Sequence, residues 1–298
     1  MYVILGASGN TGHIAAKTLL SRGKKVRAVG RSAEHLHSLM AQGAEAFIAD
    51  LTDEHALAKA FNHAEAAYVM LPPNLATDDF RSYQERVSDS ITNAAKKSGV
   101  QYVVTLSSIG ADKSSGTGPV VGLHNFEEKL NQLPANVLHL RAGYFMENTL
   151  PQVGVIRAMH SAVGPLRADL KVPMIATQDI GAAAADALTE LSFRGKQTQE
   201  LQGQRDLDYT EAATIIGNSV GRPKLGYVHA PDDQVRPALV QAGMPDNFAG
   251  LILEMASALN SGYMRALEPR GPSNTTPTPF ETFVTQRFVP AYQEKVAA

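Results

Sequence analysis

Three glycines near the N-terminus have the spacing that a backbone needs to approach a phosphate group closely. They follow the apolar run Tyr2–Leu5, which predicts a buried strand, and they precede residues 13–20, whose apolar residues have helical spacing. A strand, a glycine turn and a helix in this order predict a dinucleotide-binding site, in which the N–H groups at the helix start hold a diphosphate. A glycine-rich turn without a ligand is the alternative. We expect the cofactor to contact the residues of this turn, which are Gly6, Ser8, Gly9, Asn10, Thr11 and Gly12.

The residue after the second predicted strand bears on which cofactor is bound. Proteins that prefer NAD usually place an acidic residue near this point for the ribose hydroxyls. This chain has Gly30 and Arg31 instead, and a guanidinium matches a 2′-phosphate in charge and in geometry. We therefore predict NADP(H) as the preferred cofactor, with NAD(H) kept open. The alternative role for Arg31 is to end a strand in water.

Two further residue pairs follow predicted strands at the edge where open α/β sheets collect ligands. Asp50 can accept from the adenine amino group while Leu51 covers the ring, although Asp50 can equally cap the next helix. The fourth strand ends at Leu71 and Pro72, and the prolines there force the chain out of the sheet. Leu71 and Pro72 are therefore predicted to lie across the crevice from the glycine turn.

The composition excludes several classes of site. The chain has 298 residues, a net charge of −2 and no cysteine. A nucleic-acid-binding surface is not expected because no basic stripe stands out, and disulfides, thiolate zinc sites and a cysteine nucleophile are excluded. His35 and His37 are two residues apart on a predicted helix and point to nearly opposite faces. We therefore predict no metal site.

No apolar run is long enough to span a bilayer, and no signal peptide fits, because the first strand begins at residue 2. We expect a cytoplasmic protein with a small-molecule substrate and with neither a nucleic-acid nor a membrane partner. A homodimer stays open as the assembly.

Six predicted strands alternate with helices over the first half of the chain, including a long helix at residues 78–98. This alternation predicts an α/β fold with a doubly wound parallel Rossmann sheet. The expected strands are residues 2–5, 26–29, 44–49, 66–71, 101–106 and 136–140.

The alternation stops near residue 150, and helices separated by loops follow, with one short strand expected at residues 172–176. We therefore predict two parts. Residues 1–150 form the NAD(P)-binding Rossmann domain, and residues 151–298 form a smaller, mainly helical part that encloses a substrate pocket over the sheet edge.

Several motifs occur along the chain, at residues 6–12, Arg31, Asp50 with Leu51, and residues 106–111, 141–148 and 207–223. Together they resemble the NmrA-like branch of the atypical short-chain dehydrogenase/reductases. The resemblance covers nearly all of the chain, and it implies a relation to NAD(P)H-dependent quinone reductases, to other small-molecule reductases, and to redox sensors that bind the cofactor without turnover.

The wider superfamily reduces carbonyls with a serine near the end of the fifth strand and a Tyr-x-x-x-Lys pair on the next helix. Ser107 or Ser108 can supply the hydroxyl here, but His124 stands in place of the tyrosine and Glu128 in place of the lysine. Lys129 comes one residue late. Four residues return to within about 40° of the starting direction of a helix, whereas five overshoot to about 140°. The ordinary dyad is therefore absent.

His124 and Glu128 are four residues apart and share one helix face. The carboxylate can hold the imidazole in one tautomer, and the ring can then donate to a ribose or to a substrate oxygen. We therefore name His124 and Ser107 as catalytic candidates. A structural hydrogen bond at a helix start is the alternative for His124.

The missing tyrosine constrains the substrate. Reduction of an isolated ketone makes an alkoxide that needs a positioned proton donor, whereas reduction of a quinone makes a phenolate whose conjugate acid has a pKa of about 10. Hydride transfer then depends on holding the nicotinamide face against a flat acceptor. Tyr144 and Phe145 are placed to form a flat apolar slot with Asn148 as its polar group, or alternatively to pack the two parts together.

These arguments favour an NADPH-dependent oxidoreductase that transfers hydride directly to a quinone-like or other conjugated small molecule, without flavin or metal. The alternative from another class is a regulatory protein that senses NADP(H) without turnover. An epimerase-like enzyme for nucleotide sugars would need the tyrosine that is missing.

Overall fold

The structure is a computed structural model, and it describes residues 1–294. Residues 295–298, which the predicted C-terminal part includes, lie outside the described residues.

A parallel sheet of seven strands forms the centre of the molecule, and its strand order is β10-β6-β5-β4-β1-β2-β3. Strands β2 and β3 lie on one side of β1, and the chain then crosses over so that β4, β5 and β6 lie on the other side. The order therefore reverses between β1 and β4, where doubly wound sheets open a crevice. The strands are β1 (Tyr2–Leu5), β2 (Val26–Gly30), β3 (Glu45–Ile48), β4 (Ala66–Val69), β5 (Tyr102–Ser108), β6 (Asn136–Ala142) and β10 (Lys196–Leu201).

Helices cover both faces of this sheet, as the predicted α/β class requires. The central strands β1 and β4 are buried along their whole length, which is typical of parallel sheets with helices on both sides. The predicted doubly wound Rossmann fold is therefore confirmed. The helices around the sheet are α1 (Asn10–Ser21), α2 (His37–Met40), α3 (Glu54–Ala60), α4 (Phe80–Ser98), α5 (Val120–Asn131) and α7 (Thr177–Glu190).

The seventh strand comes from the second half of the chain, beyond the six that the sequence predicts. β10 pairs with β6 at the sheet edge, and it follows α7, which packs along α1. The sequence of β10 is Lys-Gln-Thr-Gln-Glu-Leu, and only its last two residues are buried. Such a polar edge strand lacks the apolar alternation by which strands are found. The division at residue 150 stays a prediction, but residues 177–201 supply a helix and a strand to the part of the molecule built on the large sheet.

The rest of the second half forms a smaller region over the carboxyl edge of the sheet. The strand predicted at residues 172–176 is present as β9, in a three-stranded sheet of order β11-β9-β7, and β8 pairs with β12. The elements are β7 (Tyr144–Phe145), α6 (Gln152–Met159), β8 (Ala162–Gly164), β9 (Val172–Ile175), β11 (Asp206–Leu207), α8 (Tyr209–Ser219), β12 (Tyr227–His229), α9 (Asp232–Gln241), α10 (Asp246–Asn260), α11 (Phe280–Phe283) and α12 (Val289–Gln293).

Buried hydrogen bonds connect this region to the large sheet. The Asp179 carboxylate at the start of α7 accepts from the Thr278 backbone N–H at 3.0 Å and from its hydroxyl at 2.6 Å. The Glu200 carboxylate at the end of β10 accepts from the backbone N–H groups of Leu267 and Glu268. Both carboxylates are buried. The C-terminal segments are therefore held onto α7 and β10.

Among residues 1–294, the helices include none that is both long and apolar enough to cross a membrane. The cytoplasmic location stays a prediction.

The packing of α7 on α1 predicts the effect of a single methyl group. In Gly181→Ala, the new Cβ would lie 2.6 Å from the Thr11 carbonyl oxygen and 2.6 Å from the Ile14 Cβ, so the helices must separate. We expect a loss of about 1–3 kcal/mol in the free energy of unfolding, measured by urea denaturation.

Gly154→Ala in α6 is the matched control, because a Cβ there meets no atom within 4 Å. It should leave stability unchanged or raise it by about 0.5–1 kcal/mol. Equal effects of the two substitutions would contradict the close packing of α1 and α7.

Candidate functional site

The glycine turn between β1 and α1 has no space for side chains at two positions. Gly6 has a φ of +63°, a left-handed conformation that favours glycine. A Cβ at Gly12 would lie 2.4 Å from the Gly6 carbonyl oxygen, so only glycine lets α1 begin this close to β1. Gly9 caps the helix without a side-chain hydrogen bond, which leaves the first amide groups of α1 facing outward.

A cavity of about 190 Å³ lies against this turn, and we call it the turn cavity. Within residues 1–294, no carboxylate lines it, and helix α1 has no acidic residue in its first turn. The amide groups and the helix dipole therefore give it the electrostatics of an anion site. Its lining residues are Ser8, Gly9, Asn10, His13, Ile14, Thr177, Gln178 and Arg287.

Thr11 differs from its neighbours in the turn. Its side chain is buried, and its hydroxyl oxygen accepts a hydrogen bond of 2.8 Å from the Tyr68 hydroxyl of β4. The Thr11 side chain therefore fixes α1 onto the sheet, whereas Ser8, Gly9 and Asn10 are exposed toward the turn cavity.

The predicted adenosine-binding residues lie at the ends of β2 and β3. Arg31 is exposed, and its charge acts on the exposed Asp50. The Asp50 carboxylate accepts from the Thr52 hydroxyl at 2.6 Å and from its backbone N–H at 2.8 Å. These bonds with Thr52, assisted by the charge of Arg31, lower the pKa of Asp50 below its ordinary value.

The sequence left two roles open for Asp50, a contact with the adenine or the cap of the next helix, and the start of α3 decides between them. Asp53 is the N-cap residue, because its carboxylate accepts from the Ala56 N–H at 2.9 Å. Leu51 is buried in the core beneath. Asp50 is therefore not a helix cap and stays available to a ligand.

A larger cavity of about 520 Å³ opens at the carboxyl ends of β4, β5 and β6, and we call it the crevice cavity. The predicted residues Leu71, Ser107, Tyr144, Phe145 and Asn148 line it. Among the described residues, Pro72 and His124 are not part of its lining, and their neighbours Pro73 and Leu123 stand there instead. The structure thus brings together the proposed substrate slot and the strand-end serine.

Helix α10 and the segment after it supply the opposite wall, which the sequence did not identify. The Phe248 ring packs against the Phe80 ring with a centroid distance of 4.5 Å. The apolar face of α10 was a signal for burial, but it could not show that this face covers the crevice. The apolar side chains of this wall are Phe248, Ile252, Met255, Leu259 and Met264.

Tyr144 connects the crevice cavity to a group of tyrosines behind it. Its ring meets the Tyr209 ring edge to face, and Tyr209 in turn contacts Tyr227 with a centroid distance of 4.6 Å. Burial raises the pKa of Tyr144, while hydrogen bonds with Tyr209 and Asn148 act in the opposite direction. The Tyr144 phenol is therefore protonated at neutral pH and can donate to a bound oxygen.

Beneath the crevice cavity, Ser107 belongs to a buried ion-pair network. The Arg141 guanidinium donates two hydrogen bonds to the Glu127 carboxylate, at 3.0 and 2.6 Å, and the Ser107 hydroxyl donates to the same carboxylate at 2.5 Å. Ser107 and Arg141 are register partners on β5 and β6. The serine hydrogen is thus occupied by Glu127 and does not point at a ligand.

Glu127 and its pairing with Arg141 were missed at the sequence level. An arginine on a strand at the sheet interior requires a buried carboxylate partner. That requirement was the available signal, but it does not indicate which of the adjacent Glu127 and Glu128 turns inward.

The side chains of His124 and Lys129 are both held by protein groups. The Ala111 carbonyl can only accept, so His124 Nδ1 donates the 2.9 Å hydrogen bond between them. In the described part of the chain, exposed Glu128 forms no hydrogen bond with His124. Lys129 Nζ donates to Glu85 and Asp89 of α4, each at 2.6 Å. The structure therefore holds Lys129 away from the crevice cavity, and a catalytic role of His124 stays a prediction.

Comparison with known proteins identifies a single family over most of the chain. The model of the NmrA-like family matches residues 2–283. Quinone oxidoreductase 2 of Escherichia coli is 26% identical over 268 residues, which cover 88% of this chain and 89% of the relative.

Solved structures have the same fold. The E. coli enzyme complexed with NADPH superposes with a TM-score of 0.76 at 22% identity, covering 97% of this chain and 99% of that one. The Citrobacter sp. triphenylmethane reductase complexed with NADP(H) gives 0.80 at 20% identity, covering 96% and 99%. NmrA, a negative transcriptional regulator, in complex with NADP gives 0.72 at 15% identity, covering 96% and 95%.

The ion pair under the crevice cavity predicts a sharp difference between two adjacent glutamates. Glu127→Gln leaves the Arg141 guanidinium, whose side chain is 15% exposed, without its counter-charge. We expect a loss of about 3 kcal/mol in the free energy of unfolding, measured by urea denaturation, since buried charges left unpaired are costly.

Glu128→Gln is the control, because the Glu128 side chain is exposed, and its effect should stay within about 0.5 kcal/mol. If the two variants lost the same stability, the assignment of Glu127 as the buried partner would be wrong.

Proposed function

Because the chain belongs to the NmrA-like family, we propose that it is an NADPH-dependent oxidoreductase that reduces a quinone-like or otherwise conjugated small molecule by direct hydride transfer. The observation that carries this proposal is the crevice cavity, whose walls are largely apolar. Its serine Ser107 donates to the Glu127 carboxylate, and Lys129 of α5 is held away from it by carboxylates of α4.

The turn cavity and the ends of β2 and β3 fit the cofactor. The absence of a carboxylate among the described residues lining the turn cavity suits a diphosphate, which we assign to Gly6, Ser8, Gly9, Asn10 and Gly12. Thr11 contributes its backbone N–H, since its side chain is buried against Tyr68.

The remaining cofactor contacts follow the sheet edge. We assign Arg31 to the 2′-phosphate, Asp50 and Leu51 to the adenine, and Leu71 with Pro72 to the near wall beside the nicotinamide. When bound, NADPH supplies the hydride; the relatives whose structures hold NADPH or NADP(H) are consistent with this cofactor.

The residues of the crevice cavity suit an acceptor whose reduced form is protonated without a strong acid in the site. A reduced quinone leaves a phenolate with a conjugate acid of pKa about 10, which takes a proton from water without a strong donor. Tyr144 and Phe145 form one wall of the slot, and the protonated Tyr144 hydroxyl together with Asn148 can donate hydrogen bonds to the acceptor oxygen. These residues orient the acceptor.

A cofactor-sensing regulator without turnover is the second candidate. The structural similarity to NmrA, described as a negative transcriptional regulator in complex with NADP, supports it, as does the missing Tyr-Lys dyad. Its weakness is the crevice cavity, which a sensor does not require.

The two candidates are separated by following NADPH oxidation at 340 nm with benzoquinones, naphthoquinones and cationic triarylmethane dyes as acceptors. We expect at least one class to accelerate NADPH oxidation well above the rate without protein. If no acceptor does so while calorimetry detects NADPH binding, the reductase proposal fails and the sensor is supported.

The choice of cofactor is tested by Arg31→Ala. Loss of a charge-assisted contact with the 2′-phosphate should weaken NADPH binding about tenfold or more, because hydrogen bonds to charged groups contribute about 1.5–3 kcal/mol. Binding of NADH, which lacks this phosphate, should change less than about twofold. Equal losses for both cofactors in titration calorimetry would remove the argument for NADP(H).

A further inference from the structure

The mouth of the crevice cavity carries an uncompensated positive charge. Its lining contains three charged side chains, Lys171, Asp206 and Arg265. Asp206 is already neutralised, because its carboxylate accepts a hydrogen bond from the Arg270 guanidinium. Within residues 1–294, Lys171 and Arg265 form no hydrogen bond or salt bridge with any side chain. We call these two residues the rim pair.

Arg265 stands on a segment whose backbone is fixed on both sides. Met264 is buried, its N–H donates to the Ala258 carbonyl at 2.9 Å, and its side chain fills the space that a Cβ at Gly110 would occupy. Beyond Arg265, the Leu267 N–H donates to the buried Glu200 carboxylate at 2.9 Å. The exposed guanidinium is thus presented at the cavity mouth by an anchored stretch of chain.

Lys171 stands on a different segment of the chain. It directly precedes β9, whose Val172 and Pro173 pair with Leu207 and Asp206 of β11. Lys171 is exposed, whereas Val172 beside it is buried. The rim pair therefore comes from two separate parts of the C-terminal region, and both members border the same apolar cavity.

We propose that the acceptor is a flat conjugated ring that carries an anionic substituent, a carboxylate or a sulfonate, bound by Lys171 and Arg265 while the ring enters the apolar crevice. This inference rests on the proposed function and adds the substrate class. The apolar walls take the ring and exclude ions, and two cations at the solvent end favour a negative group there.

Binding of a redox-inert pair tests the rim pair independently of turnover. The probes are 2-naphthoate and its neutral methyl ester, titrated by calorimetry into the full chain with NADP⁺ present. We expect 2-naphthoate to bind more tightly than the ester, and we call the ratio of their dissociation constants the preference. The preference should fall about threefold in Lys171→Gln or Arg265→Gln and about tenfold in the double variant, because an exposed ion pair contributes up to about 1 kcal/mol. Raising NaCl from about 50 to 500 mM should reduce the preference in the same way.

Two controls separate binding from folding. Lys224→Gln removes another exposed lysine and should leave the preference unchanged. Binding of NADP⁺ itself should be the same in all variants, because the rim pair does not line the turn cavity. Equal binding of 2-naphthoate and its ester by the unmodified protein, or an unchanged preference in the double variant, would overturn the proposal.

A turnover arm distinguishes this inference from the proposed function. With 1,4-naphthoquinone and its 2-sulfonate as acceptors, the double variant should lose about tenfold in kcat/KM for the sulfonate and less than about twofold for the neutral quinone. If neither these quinones nor any other acceptor of the panel is reduced, the proposed function fails, and the binding of 2-naphthoate still decides the role of the rim pair.

Discussion

The close approach of helix α1 to its neighbours is the constraint on which the rest of the structure depends. Gly12 brings the first turn of α1 against the Gly6 carbonyl, and Gly181 brings α7 against the Thr11 carbonyl. The Tyr68 hydroxyl bonded to Thr11 holds the same turn onto β4. Because α7 comes from the second half of the chain, both halves meet at the glycine turn, and Thr177 and Gln178 line the turn cavity with Ser8 and Asn10.

The chemistry of the crevice cavity follows from the hydrogen bonds that the polar side chains around it form with other protein groups. Where the wider superfamily has a tyrosine and a lysine, this chain has a histidine bonded to a backbone carbonyl, and Lys129 beside that position bonds to helix α4. Ser107, near the end of β5, donates a hydrogen bond to the Glu127 carboxylate, whose charge Arg141 neutralises. What faces the cavity is therefore mostly apolar, with Gln84, Ser108, Tyr144 and Asn148 among its polar side chains and with cations at its mouth. Such a site is better suited to positioning a flat molecule than to moving protons.

Local sequence patterns predicted the first half of the fold well, because each buried parallel strand is an apolar run that ends in a glycine, a proline or a polar residue. The same reasoning placed Tyr144, Phe145 and Asn148 around one cavity, since they follow a strand end. It could not find β10, whose polar residues suit a sheet edge, or the wall from α10, which only the tertiary packing brings over the crevice. It also missed the pair of Glu127 and Arg141, because the direction of the Glu127 side chain depends on this pairing and not on its sequence neighbours.

The origin of β10 has a consequence for how the protein is made. During synthesis, β6 emerges with its apolar residues Val137, Leu138 and Leu140 and has no partner on its outer edge until residue 201 has left the ribosome. An unpaired edge of this kind is a template for pairing with another chain. The nascent chain therefore passes through a period in which more than half of it has been translated while this edge of the sheet stays open to pairing with another chain.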